Sequence, residues 1–148
     1  MKIFKGVIGV IIISTLSSCG DPCRKVYGHW KIYKYVGAGI VGLSNEEAQA
    51  FIGQEFILHK EYAVLNGEKF EHPQYTLQEE QADDYFYYGY RMPEYRKHLG
   101  IKEKVIKILI VSSSQPGGSD YDFILQEDEM ITGIDGVFFF LRKRPARK

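Results

Sequence analysis

The sequence predicts a mostly β domain, an antiparallel barrel or sandwich with one or two short helices. Two observations predict it. Short runs of alternating, strand-forming residues recur between turn residues. One of the turns, Asn66-Gly67, is the strongest short hairpin signal, because a type I′ turn needs positive φ at both central residues.

His29 to Val36 opens the series, with Trp30, Ile32 and Lys34 expected on one side and Tyr33 and Tyr35 on the other. Gly37 to Gly42 is a glycine-rich turn. Ser44-Asn45-Glu46-Glu47 forms a capping box, so a short helix is expected within 45–52, with Ala48, Phe51 and Ile52 on one face and Gly53 closing it. Glu55–His59 is a strand with Phe56 and Leu58 on one side. Tyr62–Leu65 and Glu68–Glu71 flank the Asn-Gly turn, and Tyr75–Glu79 is a further strand. The aromatic run Tyr85-Phe86-Tyr87-Tyr88-Gly89-Tyr90 is read as extended, with Tyr85 and Tyr87 on one face and Phe86, Tyr88 and Tyr90 on the other. Pro93–His98 suits a short helix that Gly100 can close. Lys104–Ser112, rich in Ile and Val, is the clearest strand. Tyr121–Gln126, Met130–Thr132 and Val137–Arg142 complete the set, with turns at Glu127-Asp128-Glu129 and Gly133–Gly136.

The first nineteen residues carry the location. Lys2 and Lys5 precede an apolar stretch, Val7 to Ile13, too short to span a bilayer. Leu16-Ser17-Ser18-Cys19 then resembles the lipobox of bacterial lipoproteins. The resemblance implies a signal peptide over 1–18, acylation of Cys19 (thiol and, after cleavage, amino group), and a membrane anchor. Gly20, rather than Asp, after the Cys implies the outer membrane with the domain facing the periplasm. The expected organisation is a lipidated tether over 19–26, a β-barrel domain over 27–144 and a basic tail over 145–148.

Removing Lys2 and Lys5 leaves 17 basic against 19 acidic residues, so no nucleic-acid partner is expected. Five basic residues lie in 142–148, and residues 19–141 then carry 12 basic against 19 acidic. That split suits either a solvated tail or contact with anionic lipid. With Cys19 acylated, only Cys23 remains as a thiol, expected unpaired in the tether or bridged to another chain.

Three short motifs resemble the lipocalins. Gly28-His29-Trp30 resembles their opening Gly-x-Trp, Ser119-Asp120-Tyr121 their Thr-Asp-Tyr loop, and Arg142 lies near their last-strand basic residue. The resemblance implies an up-and-down barrel, closed at one end by Gly28, Trp30 and an Arg142 guanidinium over the indole. It also implies an interior for a small apolar ligand, with Trp30, Tyr85, Phe86, Tyr87, Tyr88 and Tyr90 as lining candidates. The alternative use of those aromatics is a protein-binding surface, as in a hydrolase inhibitor, an immunity protein or an assembly component.

Gly37-Ala38-Gly39-Ile40-Val41-Gly42 is a literal G-x-G-x-x-G and resembles the opening of flavin-dependent oxidases. A dinucleotide site needs the helix to start within the glycines, and the capping box starts it at Ser44. The first strand is also too polar for a buried parallel strand. No cofactor is expected. His29, His59, His72 and His98 lack metal-ligand spacing, and neither Glu61 nor Glu71 is paired in sequence with a nucleophile. The expectation is therefore a non-catalytic, membrane-anchored binding protein.

Overall fold

A computed structural model of the chain describes residues 21–37 and 41–146. The signal over 1–18, the anchor Cys19, residues 38–40 of the glycine run and the last two residues of the tail lie outside the described residues.

The elements in order are β1 (Gly28–Gly37), α1 (Asn45–Ala50), β2 (Glu55–Leu58), β3 (Tyr62–Leu65), β4 (Glu68–Glu71), β5 (Gln74–Gln81), α2 (Ala82–Tyr90), α3 (Tyr95–Leu99), β6 (Val105–Ser112), β7 (Asp120–Leu125), β8 (Glu129–Ile134) and β9 (Val137–Lys143). All described strands belong to one antiparallel sheet, ordered β4-β3-β2-β1-β9-β8-β7-β6-β5. It curls into a half-barrel of the up-and-down, lipocalin-like kind.

The directions of the strands show how the two edges of the sheet are related. Nine strictly alternating strands would leave β1 and β9 parallel, yet they pair antiparallel. The exception is β4 and β5, which share no ladder and are joined only by His72-Pro73. They run the same way, as two legs of one bent strand, so the chain makes eight passes. His72 takes φ 48° at the bend, and Pro73 has no N–H to leave unpaired. The ladders are staggered from one strand to the next, as in a tilted, curled sheet. Side chains cross the seam: the Tyr75 hydroxyl donates to the His59 carbonyl at 2.7 Å, and the Ser114 hydroxyl to that of Glu71 at 3.0 Å.

The local signals hold at most turns. Asn66 and Gly67 take φ 51° and 78° between β3 and β4. Ser44 accepts from the Glu47 N–H while Glu47 accepts from the Ser44 N–H, so the capping box starts α1. Ser44→Ala should cost about 1 kcal/mol, visible as a lower urea midpoint with an unchanged slope. Gly100 ends α3 at φ 71°. The turn between β8 and β9 is tighter than Gly133–Gly136: Asp135 and Gly136 make it, and Gly133 belongs to β8.

Two cores result, one on each face of the sheet. The inner one collects Trp30, Ile32, Phe56, Leu58, Leu65, Phe70, Leu109, Phe123, Phe139 and Leu141. The outer one lies beneath α2 and α3 and collects Phe86, Tyr95, Ile106, Ile108, Ile124, Ile131, Phe138 and Phe140. β9 serves both, so Val137-Phe138-Phe139-Phe140-Leu141 is buried throughout. Both faces of such a strand are covered, which is why it reads as a continuous apolar run.

The expected alternation in β1 fails after Ile32. The register with β9 shifts between Ile32 and Lys34, and this extra residue turns the strand over. Tyr35 therefore packs inside with Trp30 and Ile32, while Tyr33 and Val36 pack outside.

Candidate functional site

The end of the barrel near Gly28 is plugged by the segment expected to be a tether. Residues 22–26 form turns, and Cys23 and Val26 are buried in the inner core. The Asp21 carboxylate caps this turn, accepting from the Cys23 N–H at 2.9 Å and the Tyr27 hydroxyl at 2.7 Å. These bonds, the Tyr27 one foremost, hold the Asp21 carboxyl below the usual range. Cys23 is a core thiol with its pKa raised by burial, then by Asp21. The packed domain thus begins before residue 27, and Cys23 is not placed for a bridge to another chain.

The Trp30 indole N–H donates to the Val26 carbonyl at 2.8 Å. Arg142 does not lie over this ring. Arg142 pairs with Lys31 and Lys143 with Trp30, and paired residues share a face of the sheet, so only Lys143 can reach the indole. Its Nζ lies 5.7 Å from the ring centroid and donates to the Lys25 carbonyl at 2.9 Å. The Arg142 guanidinium instead lies 4.1 Å from the Tyr33 ring centroid on the outer face, where the Tyr33 hydroxyl donates to Glu129. Gly28 takes φ 142°, and a Cβ there would come within 2.6 Å of Lys143 Cε.

The aromatic run is not a strand. It forms α2, and the expected split of its side chains changes with it. Asp83 and Asp84 favour the first turn of the helix, where the backbone dipole attracts negative charge. Ala82, Phe86 and Tyr90 recur at four-residue spacing, with Tyr85 beside them, and this stripe packs on the sheet. Tyr87 and Tyr88 stand on the opposite side, 55 % and 74 % exposed.

The stripe is ordered by ring contacts. Phe86 stacks on Tyr95 at 4.3 Å and meets Phe138 at 5.8 Å. Tyr90 meets Phe138 at 4.8 Å and lies over Gly133, where an added Cβ would approach its ring to 3.1 Å. The Tyr85 and Tyr90 hydroxyls are 3.2 Å apart. The Tyr95 hydroxyl and the Arg96 guanidinium both donate to Asp83, at 2.6 and 3.2 Å, tying α3 to α2. They hold the Asp83 carboxyl below its usual range, the Tyr95 bond first.

So the residues expected to line one cavity are divided. Trp30 is inside. Tyr85, Phe86 and Tyr90 pack on the outside of the sheet, and Tyr87 and Tyr88 face solvent. The inner space is occupied by Trp30, Phe56, Phe70, Phe123 and Phe139, each 6 % exposed or less. Phe139 meets Phe51 at 4.8 Å, and Phe56 meets Phe123 at 6.1 Å.

No protein-family model, curated protein or solved structure matches this chain. Its own surface is therefore the guide to what it does. Three open grooves stand out. One of about 280 Å³ lies beside Tyr87, Tyr88, Asp83, Asp84 and Pro93. One of about 650 Å³ runs past Tyr90, Ile110, Tyr121 and Asp122, and includes Ser119 and Asp120. The largest, about 930 Å³, lies at the plugged end between β1 and the C-terminal segment. Among the described residues, no group of three His, Cys, Asp or Glu side chains is placed to hold a metal ion. At the glycine run, β1 lies between two antiparallel neighbours and α1 starts at Asn45, an arrangement unlike the parallel β-loop-α unit of a dinucleotide site.

Buried and half-buried phenols give the domain an alkaline limit. Tyr75 and Tyr95 are pushed up to about 12, chiefly by burial, and burial raises Tyr85 further. An unfolded phenol ionises near 10. Their contribution to stability is therefore complete below about pH 10 and lost as pH rises through about 12. Circular dichroism and tyrosinate absorbance should change together in that window, and full ionisation at pH 10 with the fold intact would contradict it.

Proposed function

We propose that this chain is a non-catalytic, lipid-anchored protein of the bacterial envelope that binds a protein partner through the exposed face of α2. One observation carries the reading: the aromatic residues split into a filled interior and an exposed tyrosine pair. Tyr87 and Tyr88 meet edge to face at 5.1 Å, beside Asp83, Asp84 and Pro93. Folding alone gives no reason to present two large rings to water. Tyrosine on a rigid element suits an interface, because it offers a large contact area with few rotatable bonds. The stacking of Phe86 on Tyr95 beneath supplies that rigidity.

The anchor reading is supported by the order of charge, apolar run and Leu16-Ser17-Ser18-Cys19, and places the domain in the periplasm on the outer membrane. A partner such as an envelope hydrolase, a toxin or an assembly component fits a small anchored module. A small apolar ligand inside the barrel fits less well, because aromatic side chains occupy that space and residues 85–90 do not line it.

The test is photo-crosslinking in intact cells with a benzophenone amino acid in place of Tyr88. A discrete protein adduct that disappears with Tyr87→Ala is expected. Absence of any protein adduct, together with a lipid-sized extra mass on the purified domain in native mass spectrometry, would overturn the reading in favour of the ligand.

A further inference from the structure

We propose that the chain pairs with a second copy of itself through the open edge of β5, the two β5 strands lying antiparallel across a twofold axis at Leu77.

β5 ends the sheet. It pairs with β6 along its whole length, from Gln74 opposite Ser112 to Gln81 opposite Val105, without a register shift. Among the described residues, no strand pairs with its other side. The ladder decides which backbone groups are left over. The Ala82 N–H donates to the Lys104 carbonyl at 2.8 Å, and these two residues continue the register of β5 on β6. Even-numbered residues of β5 therefore turn their N–H and C=O toward β6, and odd-numbered ones turn theirs away. The N–H and C=O of Tyr75, Leu77 and Glu79 point out of the open edge.

Leu77 marks the opening. It pairs with Leu109, which is fully buried on the inner face, yet Leu77 is 39 % exposed. The seam bond of the Tyr75 hydroxyl lies at the start of the strand, and Thr76, Leu77, Glu79 and Gln81 beyond it are exposed. Folded proteins blunt such an edge with a short strand, a Lys, a Pro or a bulge. The other edge of the sheet follows this rule: β4 has four residues and carries Lys69. β5 has eight residues and none of these features, and its only charges are Glu79 and Glu80.

Those two carboxylates choose the register. A twofold axis makes the strands antiparallel and lets the same residues serve both copies. With the axis at Glu79, the two Glu79 side chains would oppose each other, which is unfavourable. With it at Gln78, Leu77 would oppose Glu79 of the second copy. With it at Thr76, Glu79 would oppose Pro73, which has no N–H to give. With it at Leu77, the two leucines meet, Tyr75 opposes Glu79, Gln74 opposes Glu80 and Thr76 opposes Gln78. This register pairs every outward group of Tyr75, Leu77 and Glu79 and opposes no like charges. The edge is distinct from the exposed face of α2. Because α2 follows β5 directly, a pair carries two Tyr87–Tyr88 faces.

The test is sedimentation velocity on the chain from Gly20 to Lys148, which contains both cores entire, at high micromolar concentration. The mass of two chains is expected. Leu77→Pro should reduce it to the mass of one. The N–H lost is one that points away from β6, so the ladder within the chain keeps its bonds, and circular dichroism checks the fold. A second measurement needs no proline. Residues opposed at such a pair have Cα atoms about 5.5 Å apart, within disulfide reach. Leu77→Cys should therefore give a disulfide-linked pair under mild oxidation. Glu79→Cys should not, because the two copies of residue 79 lie roughly 13 Å apart along the strands. Cys23 is buried and does not compete. If the proline variant unfolds, the crosslinks decide. A single-chain mass for the parent, a pair that survives Leu77→Pro with the fold intact, or equal crosslinking at the two positions would overturn the proposal.

Discussion

Trp30→Ala should destabilise the domain by about 3–5 kcal/mol, among the largest effects of any single truncation. The indole is 6 % exposed and packs among inner-core side chains at the plugged end. Its N–H holds the Val26 carbonyl at 2.8 Å, and Lys143 lies above it. Truncation would leave a cavity, free a buried carbonyl, and release the turn that seats Cys23 and Val26. Cys23 should then become reactive to a thiol reagent under native conditions, whereas in the parent it should react only through unfolding. Denaturant titration gives the first quantity and thiol-labelling kinetics the second. A loss below about 1 kcal/mol, the scale of an ordinary substitution, would mean that the plug is not part of the cooperative unit.

Phe86→Ala and Tyr88→Ala should differ sharply although the residues are two apart. On a strand they would share a face. On α2, Phe86 is fully buried between Tyr95 and Phe138, and Tyr88 is 74 % exposed. Phe86→Ala should cost about 3–5 kcal/mol and loosen both helices. Tyr88→Ala should change stability by no more than about 0.5 kcal/mol, while removing part of the proposed partner surface. Equal losses in denaturant titrations would contradict the helical placement.

That pair also shows where the sequence is legible and where it is not. The Asn66-Gly67 hairpin, the Ser44 capping box and the Gly100 helix end are visible because each depends on a few neighbouring residues. The run 85–90 misleads because Tyr and Phe have strand propensity, and tertiary packing overrode it. A helical signal was present in Ala82, Phe86 and Tyr90 at four-residue spacing, with Asp83 and Asp84 just inside the start. The position of the cation over Trp30 depends on which β9 residue pairs with it, and register between distant strands leaves little local trace. The same applies to Cys23: a short polar stretch with one Pro looks like a tether until an open barrel end needs filling. The bulge at Tyr33 has no local signature either, and it decides that Tyr35 packs inside with Trp30 and Ile32.

The placement of β9 has a consequence for how the molecule comes into being. It completes both layers of packing and joins the first strand to the eighth, yet it is synthesised after all the other described strands. Until its residues are available, no ladder joins β1–β4 to β5–β8, and each apolar face is incomplete. Contacts between such distant parts of a chain are slow to form, so acquisition of the native state waits for β9. A chain ending at Gly136 should show no cooperative unfolding transition by circular dichroism, and a sharp transition would refute this dependence. On the proposed export route this delay is useful, because a polypeptide that cannot fold before β9 is available can still be threaded through a narrow translocation channel.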